Sequence, residues 1–483
     1  MGYIGTIDNN ITFNMENKDK SLLFEKKFAF DIWDDATKKA AFDFAEGYKK
    51  FLSFAKTERL AVDKAKESAQ KYGFKEIEHA GPSTKQGFNG PVYSINRGKA
   101  IILAKPGKRP VTDGLRLVLA HIDSPRLDLK MVPLYESEHL AFLKTHYYGG
   151  IKKHQWSTIP LAMYGTISKQ DGTSIQISLG DNDSDPIFMI SDLLVHLSRQ
   201  QMEKKLDEAV PAETLNIIVG SLAQKGKEQE RDLVKKNILN LLREKYNISE
   251  EDFVSADLEI VPAGQARDLG FDRSLIAGYG HDDRICAFTA LEAMMSVDPE
   301  YATLVVLVDK EEIGSEGVTS ANSNFIADFV SELIYLETAV HDENVLRDTF
   351  FKSKAISADV TTAYDPDYAD VYDINNTAKL GAGIVVERHL GWRGKYDTSE
   401  ATPDYTAFIL NTLNSAKVPW QAGGFGKVDL GGGGTISMYL ARLNMDIIDM
   451  GTALFSMHAP FEIASKADLY STYLAYKAFF EAK

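Results

Sequence analysis

Between residues 32 and 70 the apolar positions recur at helical spacing, with Trp33, Phe42, Phe44, Phe51, Leu52 and Leu60 set among long charged side chains. That is the pattern of a helix burying one face. Gly73-Phe74 follows as a helix stop, since glycine readily takes the left-handed backbone that ends a helix. The period then changes. Residues 92–95, 100–104 and 115–120 are short runs rich in Val, Ile, Leu and Ala, and they predict strands. The last run delivers His121 from its C-terminal end, the end from which open α/β sheets present functional side chains.

The middle of the chain reads differently. Residues 161–167 and 174–179 flank Gln170-Asp171-Gly172, a strong hairpin signal. An apolar stretch over 187–197 has helical character, a charged segment lies around 225–232, and an amphipathic helix is expected near 233–242. Residues 256–261 alternate apolar and polar like another strand. We therefore expect 158–272 to be an inserted β-rich domain.

Alternating character returns after it. Residues 282–295 predict a helix with Ile285, Phe288, Leu291 and Met295 on one face. Residues 304–308 form a fully apolar strand, 447–450 another strand, and 467–482 a closing helix. The expected class is α/β: a discontinuous domain of residues 1–157 and 273–483, its mixed sheet flanked by helices, plus the β-rich insertion.

Composition narrows the possibilities. A chain of 483 residues exceeds the usual size of one domain, in line with two units. Its apolar (44%) and charged (25%) fractions are those of an ordinary soluble globular protein. A net charge of −15 repels nucleic acid and anionic membranes, so neither is expected as a partner. Cys286 is the single cysteine; it excludes an intramolecular disulfide framework or a thiolate-rich zinc site and fits a reducing compartment. Met1 to Lys20 is polar, without the apolar core of a signal peptide, and no run approaches the roughly 18 apolar residues of a membrane span. The cytoplasm is the expected location.

Five stretches carry the chemistry. In extended chain, residues two apart project to the same side, so His121 could ligate a metal while Asp123 holds a ligand in orientation. A surface histidine beside the Ser124-Pro125 turn is the plainer account. Asp282 and Asp283 stand at a helix start, where Asp caps the helix and complements its dipole, although a carboxylate can also bridge two cations. Glu311 and Glu312 directly follow an apolar strand. Adjacent side chains diverge, so one carboxylate can bind metal while the other takes a proton from the attacking water. Gly314 then allows a sharp turn.

Asp359 and His458 would each pass alone for a turn residue and a core histidine. Together the groups offer two imidazoles and several carboxylates, a donor set for a pair of divalent ions plus a general base. Metal-assisted hydrolysis is the expected reaction type. The glycine run 431–434 lacks the lysine and spacing of a phosphate loop; it suits close approach of backbone to substrate.

In this order, His121-Ile-Asp-Ser-Pro, Asp309-Lys-Glu-Glu-Ile-Gly-Ser-Glu, Ser357-Ala-Asp, Gly432-Gly-Gly-Thr435 and Met457-His458 span most of the chain. The set resembles the M18 family of metallo-aminopeptidases, the aspartyl aminopeptidase group. The resemblance implies a zinc-peptidase-type catalytic domain with a β-rich insertion serving oligomerisation and substrate gating. It implies His121 and Asp359 as terminal metal ligands, Glu312 and His458 completing the two sites, and Asp282 rather than Asp283 as the bridge. Glu311 would be the general base and acid, with Asp123 supporting the ligands.

It also implies a homo-oligomer, a tetrahedral dodecamer, in which His196 on a helix of the insertion reaches a neighbour's site to bind substrate. The expected cofactors are two divalent ions per subunit. Zinc is the first choice, and cobalt and manganese suit the same oxygen and imidazole donors.

Peptides with acidic N-terminal residues are the substrates the group is best known for, and they need a cationic pocket. Over 372–400 the chain departs from the family pattern: Lys379, Arg388, Arg393 and Lys395 are candidate cations, while Ile384-Val-Val-Glu387 has none. A neutral or broad preference is the competing expectation. A dimetal deacylase or phosphoesterase, or a scaffold without activity, are the other readings; the complete ligand set with Glu311 argues against a scaffold.

Overall fold

The computed structural model describes residues 26–77, 87–226 and 230–483. The polar stretch Met1 to Lys20 lies outside the described residues, as do 227–229 of the charged segment.

A nine-stranded mixed sheet organises the α/β part. Its order is Lys75–Glu76, Val92–Asn96, Ala100–Lys105, Ala302–Val308, Leu115–His121, Lys354–Ser357, Asp446–Gly451, Ile384–Glu387 and Trp420–Ala422. Leu115–His121 is buried at every position and runs parallel to both of its neighbours. Alternate residues feed two cores. Val118, Ala120, Val305 and Leu307 pack under helices Asp35–Phe54, Glu58–Lys71, His281–Met295, Pro403–Ser415 and Lys466–Glu481. Leu117, Leu119, Leu304 and Val306 pack under Phe325–Thr338, Glu343–Lys352 and Ser437–Arg442. Cover on both faces is why these strands read as unbroken apolar runs.

The continuous helical pattern over 32–70 resolves into two helices, Asp35–Phe54 and Glu58–Lys71. Between them Lys56 turns inward to the carbonyls of Pro262 (2.8 Å) and Gly264 (2.6 Å), and the Thr57 hydroxyl caps the second helix by accepting from the Leu60 amide. Tertiary pairing here interrupts a periodicity that local sequence would continue.

A second, six-stranded antiparallel sheet has the order Ser174–Leu179, Leu161–Ser168, Ala256–Pro262, Arg126–Ser137, Leu140–Tyr148, Ile217–Gly220. Helix Leu233–Tyr246 covers its core through Val234, Ile238 and Leu242. The expected hairpin is present, with Ser168 paired to Ser174.

Two expectations need correction. The β-rich unit does not begin at 158, because Arg126–Ser137 and Leu140–Tyr148 are strands of the same sheet. Their alternation of Leu127, Leu129 and Met131 with polar residues carried that signal. At the other end the chain leaves this sheet at Pro262, and Arg267–Leu269 already belongs to a third, five-stranded sheet with Leu275–Gly278, Glu462–Ser465, Ala453–Phe455 and Thr361–Thr362.

Nor is 187–197 a helix. Phe188 exchanges backbone hydrogen bonds with Leu161, and the Met189 carbonyl accepts from Ile218, so sheet edges claim the groups a helix would use. Only a 3-10 turn, Val195–Leu197, follows, and His196 sits exposed on it rather than on a helix of any length. Among the described residues no helix is long and apolar enough to cross a membrane.

Candidate metal centre

Sheet register gathers the site. Val308 pairs with His121, so two adjacent parallel strands end side by side and the turn after Val308 carries Glu311 and Glu312 to His121. On the other flank Ser357 pairs with Leu119, and the Ala358 amide donates to the Leu119 carbonyl (2.7 Å), placing Asp359 at the same edge. Asp282 arrives at the start of helix His281–Met295, but Asp282 and Asp283 have non-helical backbone, so neither is a simple helix cap. His458 comes from the turn between Ala453–Phe455 and Glu462–Ser465. Lys310 (φ 72°), Ser456 (57°) and His458 (66°) all take the left-handed conformation, which non-glycine residues adopt at a cost and which concentrates at functional turns.

The two imidazoles face one carboxylate. His121 Nε2 lies 3.1 Å from Asp282 Oδ1, and His458 Nε2 lies 3.1 Å from Asp282 Oδ2. Asp359 Oδ1 is 3.6 Å and Glu311 Oε2 4.0 Å from His121 Nε2. Glu312 Oε2 is 3.5 Å from His458 Nε2. Asp283 groups with His121 and Asp359, whereas Asp282 groups with Glu312 and His458 and also touches His121.

Behind these groups stands a layer of hydrogen bonds. Asp123 is fully buried and accepts the Glu311 and Glu312 amides (3.2 Å each) and the Tyr148 hydroxyl (2.7 Å). Glu462 accepts the Asp282 amide (3.1 Å) and the His458 amide (2.7 Å). The Gly150 carbonyl lies 2.9 Å from His458 Nδ1; a carbonyl can only accept, so Nδ1 carries a hydrogen and Nε2 is the nitrogen turned to the carboxylates. Beside the cluster lies a cavity of about 690 Å³, lined by Asp282, Glu311, Glu312, Asp359 and His458 on one side and by Leu390, Phe425, Met438, Tyr439, Met457 and the glycines 432–434 on the other.

A family model described as Aminopeptidase I zinc metalloprotease (M18) matches residues 51–480. The chain belongs to the M18 aminopeptidase family. It is 49% identical over 462 residues to the Clostridium acetobutylicum "Probable M18 family aminopeptidase 1", covering 95% of this chain and 98% of that one. A crystal structure of an M18 aminopeptidase from Thermotoga maritima superposes with a TM-score of 0.90 at 44% identity, covering 95% of this chain and all of its own. At 20% identity and a TM-score of 0.73, the fold is also shared with a structure described as the S. cerevisiae mApe1 dodecamer. The protein is a metallo-aminopeptidase, a hydrolase of the zinc metalloprotease type.

The aminopeptidase's cluster suits cations on physical grounds. Asp282, Asp283, Glu311, Glu312 and Asp359 crowd two imidazoles, and so many buried carboxylates cannot all ionise without compensating positive charge. Among the described residues, Glu312 Oε1 and both Asp283 oxygens are buried without a hydrogen-bond partner. Burial pushes the Glu311 carboxyl up to about 8, reinforced by Asp359, Asp123 and Asp282 and opposed by His121. For His458, burial favours the neutral ring, but Glu312 and Asp282 outweigh it and hold the imidazolium up to about 11.

A cation bound at the His458 ring would have to displace a proton. Zinc uptake by the metal-free aminopeptidase is expected to release protons, with affinity falling roughly 10-fold per pH unit for each proton displaced as pH is lowered. Calorimetry in buffers of differing ionisation enthalpy counts those protons, and pH-independent affinity between about pH 6 and 8 would refute the expectation.

Every residue expected at the cluster, His121, Asp123, Asp282, Glu311, Glu312, Asp359 and His458, is brought to it. His196 is not among those lining the cavity. Tyr148, Gly150 and Glu462 were missed; each acts through a backbone group or a distant element, which no local motif marks.

Proposed function

We propose that this aminopeptidase holds two divalent ions in adjoining donor sets and hydrolyses the first peptide bond of peptides with Glu311 as general base. The observation that carries this reading is the Asp282 carboxylate, which offers one oxygen to each of two imidazoles at 3.1 Å. Asp282, Glu312 and His458 form one compact set; for the other, His121 Nε2 stands 3.1 Å from Asp282 and 3.6 Å from Asp359, with Asp283 grouped beside it, and Asp282, Glu312, Asp359 and His458 line the cavity. Zinc is the metal such imidazole and carboxylate sets favour in catalytic sites, with cobalt and manganese chemically admissible. Bound ions supply Lewis acidity, lowering the pKa of a water and polarising the scissile carbonyl.

The protein's own groups do the rest. Glu311 faces the cluster at the cavity edge and takes the proton of the attacking water, then returns it to the leaving amine. Carboxylates beside the ions accept the substrate's free α-amine, which restricts attack to the first bond. Asp123 holds the turn that carries Glu311 and Glu312.

The cavity favours neutral, apolar N-terminal residues over acidic ones. Leu390, Phe425, Met438, Tyr439 and Met457 line it, and no Lys or Arg does so among the described residues. The four candidate cations are engaged elsewhere: Arg388 and Lys395 pair with Glu400 (3.3 and 2.9 Å), Lys379 lies over the Tyr364 ring (3.5 Å), and Arg393 lies against Trp392.

A homo-oligomer is the proposed assembly, a tetrahedral dodecamer, with His196 reaching a neighbour's cavity. Support comes from the exposed apolar run Leu193 (48%), Leu194 (54%), Val195 (74%) and Leu197 (68%) around His196, and from the dodecamer that shares the fold.

A panel of N-terminal aminoacyl reporters, with and without chelator and added zinc, cobalt or manganese, tests the reading. Leucyl and methionyl reporters are expected to exceed aspartyl and glutamyl ones by ~10-fold or more in kcat/KM, with chelator abolishing release. Preference for aspartyl or glutamyl reporters would reverse the specificity. No chelator-sensitive release of any residue would sink the mechanism.

A further inference from the structure

Tyr148 ends strand Leu140–Tyr148 of the second sheet, and the chain leaves through Gly149 and Gly150 directly past the carboxylate cluster. Each of the three residues meets a different part of the centre. The Tyr148 hydroxyl donates to Asp123 Oδ2 (2.7 Å), the carboxylate that receives the Glu311 and Glu312 amides. Gly149 has φ 71°, and a Cβ placed there would stand 3.2 Å from Glu312 Oε2 and 3.3 Å from Glu312 Cβ. The Gly150 carbonyl accepts from His458 Nδ1 (2.9 Å).

The tyrosine is itself held. The Arg126 guanidinium lies 3.9 Å from its ring centroid, and Arg126 is flanked by buried Glu58 (3.4 Å) and Glu259 (3.3 Å), one from the first part of the fold and one from the second sheet. Among the described residues, no other strand of the six-stranded sheet ends in a residue bonded to this cluster.

We propose that Tyr148-Gly149-Gly150 is a clamp through which the second sheet positions the reacting groups. Tyr148 is a positioning residue that acts through Asp123 on the Glu311–Glu312 turn, and Gly150 sets the His458 tautomer. This rests on the reading of Glu311 as base and of Glu312 and His458 as ligands. Asp123 is fully buried, so its two oxygens depend on the protein for donors. Without the Tyr148 hydroxyl, Oδ2 keeps the Glu312 amide (3.2 Å) and loses its shorter donor. The carboxylate then rests on the two amides and on His121 Nδ1, 3.4 Å from Oδ1, and the strand-end turn starting at left-handed Lys310 loses the tether to the second sheet. Groups standing behind metal ligands commonly govern affinity or activity by about 10- to 100-fold when removed.

Tyr148→Phe tests this while keeping the ring and its contact with Arg126. Two readouts are taken: cobalt titration of the metal-free protein followed by visible absorption, and kcat and KM on the best aminoacyl reporter. Expected are a kcat lower by about 10- to 100-fold, a KM within about 3-fold, and an altered cobalt spectrum with roughly 10-fold weaker uptake of the less tightly held ion. In an Asp123→Asn background the same substitution is expected to add less than about 3-fold, because both act through one link.

Wild-type kcat and an unchanged cobalt spectrum in Tyr148→Phe would overturn the clamp, and so would fully additive losses in the double variant. The two readings fail separately. Wild-type protein that binds cobalt yet cleaves no reporter refutes the function, while the cobalt spectrum of Tyr148→Phe still decides the clamp.

Discussion

Glu311→Gln is expected to lower kcat by roughly 10²- to 10⁴-fold while leaving metal content and KM close to those of the wild type. The amide has the size of the carboxyl and keeps its contacts, but it cannot accept a proton. Glu311 stands nearest His121, at 4.0 Å, whereas Asp282, Asp359, Glu312 and His458 come closer to an imidazole or are imidazoles themselves. Its carboxyl belongs to neither proposed donor set, so metal retention is the expected companion of lost turnover. Burial already pushes it up to about 8; cations bound beside it would bring it down toward the working pH, where a general base is most effective. Metal analysis alongside steady-state kinetics checks both halves. Wild-type rates at confirmed metal content would show the base to lie elsewhere.

The second large effect is expected from Asp282→Asn. Asp282 is the only one of these carboxylates within 3.1 Å of both imidazoles, so losing its charge should weaken both donor sets at once. His458→Ala, by contrast, touches one. Metal stoichiometry after dialysis against a weak chelator is expected to fall toward zero in Asp282→Asn and by about one ion in His458→Ala. The kcat/KM of Asp282→Asn should fall by more than ~10³-fold, the scale of losing several kcal/mol of Lewis-acid stabilisation. Retention of two ions per subunit in Asp282→Asn would refute the bridge.

Much of the site was legible because its donors sit where local patterns end. The apolar run 304–308 stops just before Asp309-Lys310-Glu311-Glu312, and the run 115–120 stops at His121. A strand buried on both faces must be apolar, so charge immediately after it stands out. Asp282 and His458 were legible only as members of an ordered set. Neither has a local signal that separates ligand from helix cap or core histidine.

Other features were hidden for physical reasons that follow from long-range pairing. The apolar stretch 187–197 has helical periodicity, yet Phe188 and Met189 surrender their backbone groups to Leu161 and Ile218. Glu462 was unremarkable in sequence, although its carboxylate fastens the amides of Asp282 and His458 across the turn. The first limit of the β-rich unit was misplaced because the alternation over 126–131 marks a strand without saying which sheet it joins, and hydrogen bonding ties Arg126–Ser137 to Ala256–Pro262 and Leu140–Tyr148 to Ile217–Gly220.

The sequence by itself determined the α/β class, the donor types, their order along the chain and the family they belong to. Hydrophobic periodicity and short motifs depend on near neighbours, so one dimension suffices to read them. Only the tertiary structure decided that one carboxylate faces both imidazoles, that Leu390, Phe425, Met438, Tyr439 and Met457 line the cavity beside them without a Lys or Arg among the described residues, and that Tyr148 and Gly150 arrive from the end of a strand of another sheet. Those facts depend on strand register and on contacts between residues hundreds of positions apart, such as Gly150 with His458, and no local pattern encodes a distance across the fold.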